Sequence, residues 1–106
     1  MAKSLKREIR WTSTANQQYL NVLEYWNQRN KSTAFSIKLA DLVTEHLKKI
    51  SSHPFASKAS KYPDTRVTSL GHYSIYYKVF DSQILLTAFW DNRRDPKKLL
   101  KTLGND

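Results

Sequence analysis

Arg93 and Arg94 stand two residues behind a long apolar run that ends at Asp91-Asn92, and that placement is where chemistry is easiest to imagine in this chain. From Gly71 to Leu103 the sequence reads GHYSIYYKVF, DS, QILLTAFW, DNRRDP, KKLLKTL. Two runs rich in aromatic and β-branched residues, separated only by Asp81-Ser82, fit a two-residue hairpin. Such a sheet delivers two guanidiniums to its own edge. Arginine presents a planar fork of donors that stays charged at any physiological pH, which suits phosphate or carboxylate recognition. A surface salt bridge is the competing use.

A turn at Asp81-Ser82 pairs Phe80 with Gln83, and strict alternation then puts Ile75, Tyr77, Val79, Ile84, Leu86 and Ala88 on one face. That face is the expected core. The other face is expected to carry His72, Ser74, Tyr76, Lys78, Leu85, Thr87 and Phe89, a mixture of titratable, hydroxyl, cationic and aromatic groups on which bases could stack. Equally, Tyr76 and Phe89 could be a cross-strand pair covered by a partner chain or by the last helix.

The elements that must position these residues follow from periodicity. Lys6 to Trp11 reads as a strand. Thr12, Ser13 or Thr14 can cap a helix, Thr14 and Gln17 having capping-box spacing, and Ala15, Tyr19, Val22, Leu23 and Trp26 form its apolar stripe. Asn27 to Lys31 is a polar break. Ser32 or Thr33 can cap a second helix with Phe35, Leu39, Leu42, Val43, Leu47 and Ile50 on one face, stopped by Ser51-Ser52-His53-Pro54. Pro54 to Pro63 is a basic loop carrying Lys58 and Lys61. Asp64 to Leu70 can form a strand, Asp95 and Pro96 start a terminal helix, and Gly104 suits its stop. Leu99, Leu100 and Leu103 are its docking face, while Lys97, Lys98 and Lys101 give it a basic one. Burial in the core is expected of Trp11, Trp26 and Trp90, with Trp11 and Trp90 against the helices. The fold class is therefore α+β: an N-terminal strand, a helical hairpin, a three-stranded antiparallel meander and a short C-terminal helix. Where the first strand joins the sheet is not derivable.

At 106 residues the chain is read as one domain spanning 1–106. Its 18 Lys+Arg against 9 Asp+Glu give a formal charge of +9, which favours an anionic partner. There is no cysteine, so neither disulfides nor thiolate metal sites are implied. His46 and His53 lack the spaced partners of a metal site and are read as structural. No metal or other cofactor is expected. The basic N-terminus has no apolar run behind it long enough for a leader or a membrane span, which points to the cytoplasm.

IRWT-x-x-A near the start, Y-x-I-Y-Y in the hairpin and RRDP-x-x-L near the end, in this order, resemble the RelE/ParE family of type II toxin–antitoxin (plasmid stabilisation) toxins. The residues are Ile9, Trp11, Thr12 and Ala15, then Gly71, Tyr73, Ile75 and Tyr77, then Arg93, Arg94, Asp95, Pro96 and Leu99. The resemblance implies a small basic toxin held in a hetero-oligomer by a cognate antitoxin. RelE-like members cut messenger RNA on the ribosome, whereas ParE-like members block DNA gyrase. Ser69 and Ser74 stand where the nucleases usually carry arginines, Asp91 where many members have histidine, and the ending KTLGND lacks the terminal tyrosine or histidine of many nucleases. Arg93 matches the arginine after the last main strand.

On a nuclease reading, a ribose 2′-hydroxyl attacks the adjacent phosphate without metal, and the reaction needs a base, an acid and positive charge. Arg93 and Arg66 would supply charge, His72 would be base or acid, and Tyr76 would stack or donate a proton. Lys58, Lys61, Lys78, Arg94, Lys97 and Lys98 would contact nucleic acid or another target. Against this, His72 can be a solvated residue at a strand start, Arg66 changes face if the Leu70-Gly71 turn changes by one residue, and Asp95 is expected to cap rather than catalyse. Charge and the mixed face favour ribosome-dependent mRNA cleavage, with the ribosome and mRNA as partners. A non-enzymatic gyrase inhibitor and a member that binds only its antitoxin are the alternatives.

Overall fold

A computed structural model of the chain describes residues 6–104. The opening MAKSL and the closing Asn105-Asp106, both used in the reading above, lie outside the described residues. Strand β1 (Glu8–Trp11) leads straight into helix α1 (Ser13–Asn30). The cap between them is Thr12 rather than Thr14: its backbone is extended and its Oγ1 accepts the Ala15 N–H at 3.0 Å. Pairing decides this, because the Thr12 N–H still bonds to Leu86 O (3.0 Å) and so Thr12 is the last extended residue. Gln17, freed from a capping box, donates to Asn21 Oδ1 instead.

Helix α1 runs through most of the expected polar break and ends where Lys31 enters the left-handed region at φ 50. Polar side chains do not oppose a helix on its solvent face, so the break shrinks to the turn itself. Helix α2 (Ala34–Ser52) begins after Thr33, and Ser32 Oγ accepts the Ala34 N–H at 3.1 Å. The Ser36 hydroxyl bonds to Asn27 Oδ1 across the hairpin. Leu39, Val43 and Ile50 are buried, while Phe35 and Leu42 of the same stripe remain 39% and 41% exposed.

The sheet contains β2 (Lys58–Ala59), β3 (Arg66–Leu70), β4 (Tyr73–Val79) and β5 (Gln83–Asp91) besides β1, in the order β1-β5-β4-β3-β2. The expected meander is its centre, and the basic loop adds the two-residue edge strand β2. β1 closes the other side, parallel to β5 in the register Glu8↔Gln83 to Trp11↔Leu86. The β3–β4 and β4–β5 hairpins each turn over two residues. Phe80 N–H bonds to Gln83 O at 2.8 Å, and Gly71 takes the φ of +63 that the other turn requires.

One extra residue on β5 changes the expected faces. Tyr77 pairs with Leu86 but Tyr76 pairs with Ala88, so Thr87 is a β-bulge and alternation restarts after it. Phe89, expected on the outer face, enters the main core with Tyr73, Ile75, Tyr77, Ile84 and Leu86 beneath the helical hairpin. Ala88, expected in that core, points the other way. The bulge falls where β1 ends, and the Phe89 N–H, with no strand beside it, donates to Gln18 Oε1 of α1 at 2.9 Å.

On the opposite face helix α3 (Pro96–Gly104) lays Leu99 and Leu103 against Tyr62, Tyr76, Ala88 and Trp90, forming a second, smaller core. Asp95 caps α3 by accepting the Lys97 N–H at 3.0 Å. The face expected to be an open ligand surface is thus largely roofed: Ser74 and Thr87 are buried and Tyr76 is half-buried, edge-on to Tyr62 at 5.9 Å. Trp90 is buried on this side, not against the helical hairpin. Trp11 does meet the hairpin, stacking on Tyr19 at 5.1 Å, and the partly buried Trp26 donates its indole N–H to Tyr73 Oη at 2.7 Å. Among the described residues no helix is long and apolar enough to cross a membrane.

Gln18→Ala strands the Phe89 N–H and is expected to lower the unfolding free energy by about 1–3 kcal/mol in urea titrations, the cost of an unsatisfied buried donor. His46, bonded through Nδ1 to Thr68 (3.1 Å), has its pKa lowered by burial and then by Lys49, with Glu45 opposing. A histidine depressed on folding is bound by more protons when unfolded, so its contribution is present above the unfolded value near 6.5 and is lost as pH falls below it. Thermal melts from pH 8 to 5 should therefore show a falling midpoint that flattens in His46→Gln.

Candidate target-binding surface

Strand β5 ends at Asp91, and a tight turn fixed by Arg94 N–H to Asp91 O (3.0 Å) carries the arginine pair away from the sheet. Arg93 folds back. Its backbone N–H and Nε both reach Asp91 Oδ1 at 2.9 Å, and Nη2 reaches Oδ2 at 2.8 Å. The guanidinium fork is therefore occupied by a carboxylate of its own chain. The side-chain hydrogen bond from Arg93 holds the Asp91 carboxyl below its usual range; burial opposes this, and the charges of Arg93 and His72 add to it. Arg93 is correspondingly raised by Asp91. Asp91 takes the Nε and Nη2 edge of Arg93, so an external anion has the outer Nη1–Nη2 edge of the half-exposed guanidinium. Arg94 instead lies over the Trp90 ring, its Cζ 4.8 Å from the centroid.

Beside this pair, the C-terminal half of α1 and the ends of β4 and β5 enclose a depression of about 340 Å³ lined by Asn21, Tyr25, Tyr73, Phe89 and Arg93 among others. Tyr25 is 54% exposed on its rim. A second hollow of about 280 Å³, lined by Phe35, Lys38, Leu42 and His72, lies on the other side of Tyr73. The Tyr73 hydroxyl, fixed by Trp26, is the strut between them. This end of the molecule shows aromatic and aliphatic surface interrupted by a few cations, a composition suited to burying a protein partner.

The structure gathers His72, Arg93 and Arg94 at this end: His72 O accepts the Asn92 N–H at 2.8 Å, and its side chain is exposed. It does not bring Arg66 or Tyr76 there. Arg66 pairs with Tyr77, whereas Asp91 pairs with Tyr73, which sets Arg66 roughly 13 Å further along the strands as well as two strands across. The Gly71-His72 turn fixes Arg66 on the helix side, where Nη2 donates to the carbonyls of Phe55 (3.2 Å) and Ser57. Tyr76 lies under α3, its pKa raised by burial and by Tyr62. Lys78 is half-buried opposite Leu85, Lys58 sits on the edge strand, Lys61 lies 5.6 Å from the Tyr62 ring, and Lys97 and Lys98 project from α3. No cluster of three or more metal-ligating side chains occurs among the described residues.

Sequence reasoning missed Tyr25 and, although it allowed the arginines a surface salt bridge, did not name Asp91 as the partner of Arg93. Tyr25 lies off the apolar stripe of α1 and so was a visible candidate for exposure. The Asp-x-Arg spacing was also on view, though only the turn brings both ends of the guanidinium to one carboxylate.

A helical hairpin across one face of such a sheet defines a ParE-like α+β protein, and a solved structure shares it. That structure, titled "Chromosomal ParDE TA system from P. aeruginosa", superposes with a TM-score of 0.67 at 17% identity, covering 81% of this chain and 96% of that one. At that identity the likeness is one of fold. Residues 9–96 match the family described as the ParE toxin of type II toxin–antitoxin system, parDE. The chain belongs to the ParE toxin family, and its family partner is an antitoxin. No curated protein matches it.

In a carboxyl-detected NMR titration Asp91 should ionise below the ordinary aspartate range, and Arg93→Gln should move it upward. Because the folded value is the depressed one, the pair's contribution to stability is present above the unfolded value and is lost as pH falls through the folded one.

Proposed function

We propose that the chain is a toxin that inhibits DNA gyrase by binding it, the mode of ParE-like members, and that it does not cleave RNA. The observation that supports this is the separation of Arg66 and Tyr76 from Arg93. Cleavage by a ribose 2′-hydroxyl needs base, acid and cation within hydrogen-bond reach of one phosphodiester. Here Arg66 serves backbone carbonyls, Tyr76 is under α3, and Arg93 is chelated by Asp91 at the other end of the sheet. The mixed face that favoured mRNA cleavage is the one α3 covers. What remains exposed around Tyr25, Phe35, Leu42 and Arg93 is suited to a docking surface, where a few aromatic and arginine anchors carry most of the affinity. A gyrase target supports action in the cytoplasm.

Purified toxin should block supercoiling by gyrase and accumulate gyrase–DNA cleavage complexes, and messenger RNA from induced cells should stay intact. Tyr25→Ala and Arg93→Ala should each weaken inhibition about tenfold, equivalent to about 1.4 kcal/mol of binding, with Tyr25→Ala leaving the melting temperature unchanged and Arg93→Ala costing only what its pair with Asp91 contributes. Transcripts cut within codons alongside unimpaired gyrase would overturn the reading.

A further inference from the structure

The segment that follows α2 is anchored more firmly than a surface loop requires, and what it holds out is a phenylalanine. Tyr77, buried on β4, donates its hydroxyl to Pro54 O at 2.7 Å and also bonds to Ser57 Oγ. Arg66 Nη2 donates to the Phe55 and Ser57 carbonyls on either side. The Phe55 backbone is thus fixed from below, yet its ring is 62% exposed, more than any other large apolar side chain among the described residues. A lone exposed ring needs no explanation. This one has fixed company.

The Arg66 Cζ lies 5.4 Å and the Arg7 Cζ 6.0 Å from the Phe55 centroid, and Arg7 is itself held by Nε donating to Phe80 O at 2.9 Å. Next to the ring is a hollow of about 280 Å³ lined by Phe55, Tyr62, Ser60, Asp64 and Arg66 among others. Tyr62 also carries a cation, Lys61, at 5.6 Å. Exposed Lys58 stands on the adjoining edge strand. Phe55 is the exposed ring of the hollow, Tyr62, buried in the second core, forms its wall, and cations stand beside both against a single lining carboxylate, Asp64. The complementary ligand is anionic and carries a flat π face. An acidic peptide would answer the cations and leave the exposed ring unused, and a duplex keeps its base faces stacked inside. Unpaired nucleotides answer both.

We propose that the Phe55–Tyr62 hollow binds single-stranded nucleic acid, a base stacking on Phe55 while Arg7, Lys58 and Lys61 meet the phosphates. Arg66 is a positioning residue, since its bonds to the loop carbonyls set the ring in place. The site lies towards the Asp81-Ser82 end of the sheet, away from Arg93, and does not depend on the gyrase reading.

Fluorescence anisotropy of the full chain, freed of antitoxin, with labelled dT12 and rU12 and with a 12-base-pair duplex as competitor tests this. Single strands should bind more tightly than the duplex. Phe55→Ala and Phe55→Leu should both weaken single-strand binding about tenfold, because leucine restores bulk but not stacking, while Phe55→Trp should retain it. Lys58→Ala and Lys61→Ala should each reduce the salt dependence by about one phosphate contact. Arg93→Ala should leave binding unchanged. Tighter binding of dT12 would assign the ligand as DNA, and tighter binding of rU12 as RNA. Equal affinity for duplex, or single-strand binding indifferent to Phe55→Ala in a folded variant, would overturn the proposal. If Phe55→Ala abolished gyrase inhibition while oligonucleotide binding stayed intact, the patch would be a protein-docking surface instead.

Discussion

Between Leu86 and Ala88 the sheet carries one residue more on β5 than on β4, and the phase of every side chain beyond it is reversed. That single insertion sends Phe89 under the helical hairpin and Trp90 under α3, so each face of the sheet receives an aromatic ring where it needs one. It also leaves the Phe89 N–H without a strand to pair with, and α1 supplies Gln18 in its place. The helix is thereby tied to the strand that ends in Asp91, and the depression beside Tyr25 and Arg93 is formed between them. A regular strand would have directed Asp91 towards the α3 face and separated the arginine from the helical hairpin.

Charge is distributed with similar economy. The sequence carries a large excess of cations, yet Arg93 is matched by a carboxylate two residues away, and Arg94 rests on an indole. At the Tyr25 end the Arg93 charge is therefore matched by Asp91, while Arg94 keeps its charge against the Trp90 ring. The other end is different. There Arg7, Lys58 and Lys61 stand around Phe55 and Tyr62 with one nearby carboxylate in the hollow. A ParE-family chain thus carries two aromatic ends, one where Arg93 is paired with Asp91 and one where the cations around Phe55 have no such partner in the hollow's lining but Asp64.

Much of this was legible in the residues. The two-residue turn at Asp81-Ser82, the Asp95 cap and the apolar stripes of both long helices follow from local stereochemistry that the sequence states directly. Ala88 and Phe89 were misplaced because a bulge has no signature in alternation; it becomes favourable only when a neighbouring strand stops, and the seat of β1 beside β5 is a long-range fact. Tyr76 was open to two readings, an exposed ligand face or cover by the last helix, and the second is the one observed, although its cross-strand neighbour is Ala88 and not Phe89. Its exposure depends on where Leu99 and Leu103 dock, and a short helix can dock on either face. The candidate site was legible in its parts, since Arg93 and His72 do meet at one end, but Arg66 was joined to them by chemistry that the strand register does not support.

The position of β1 has a consequence for how the molecule is made. Glu8 leaves the ribosome well before its partner Gln83, with both helices and three other strands lying between them. The meander and the helical hairpin are built from near neighbours in the chain, whereas β1 can find its place only after β5 exists. Sheet closure is therefore a late event in synthesis, and the nascent chain carries an unpaired strand until then. A protein of this family, whose finished form is a toxin, completes its sheet only once β5 has been translated.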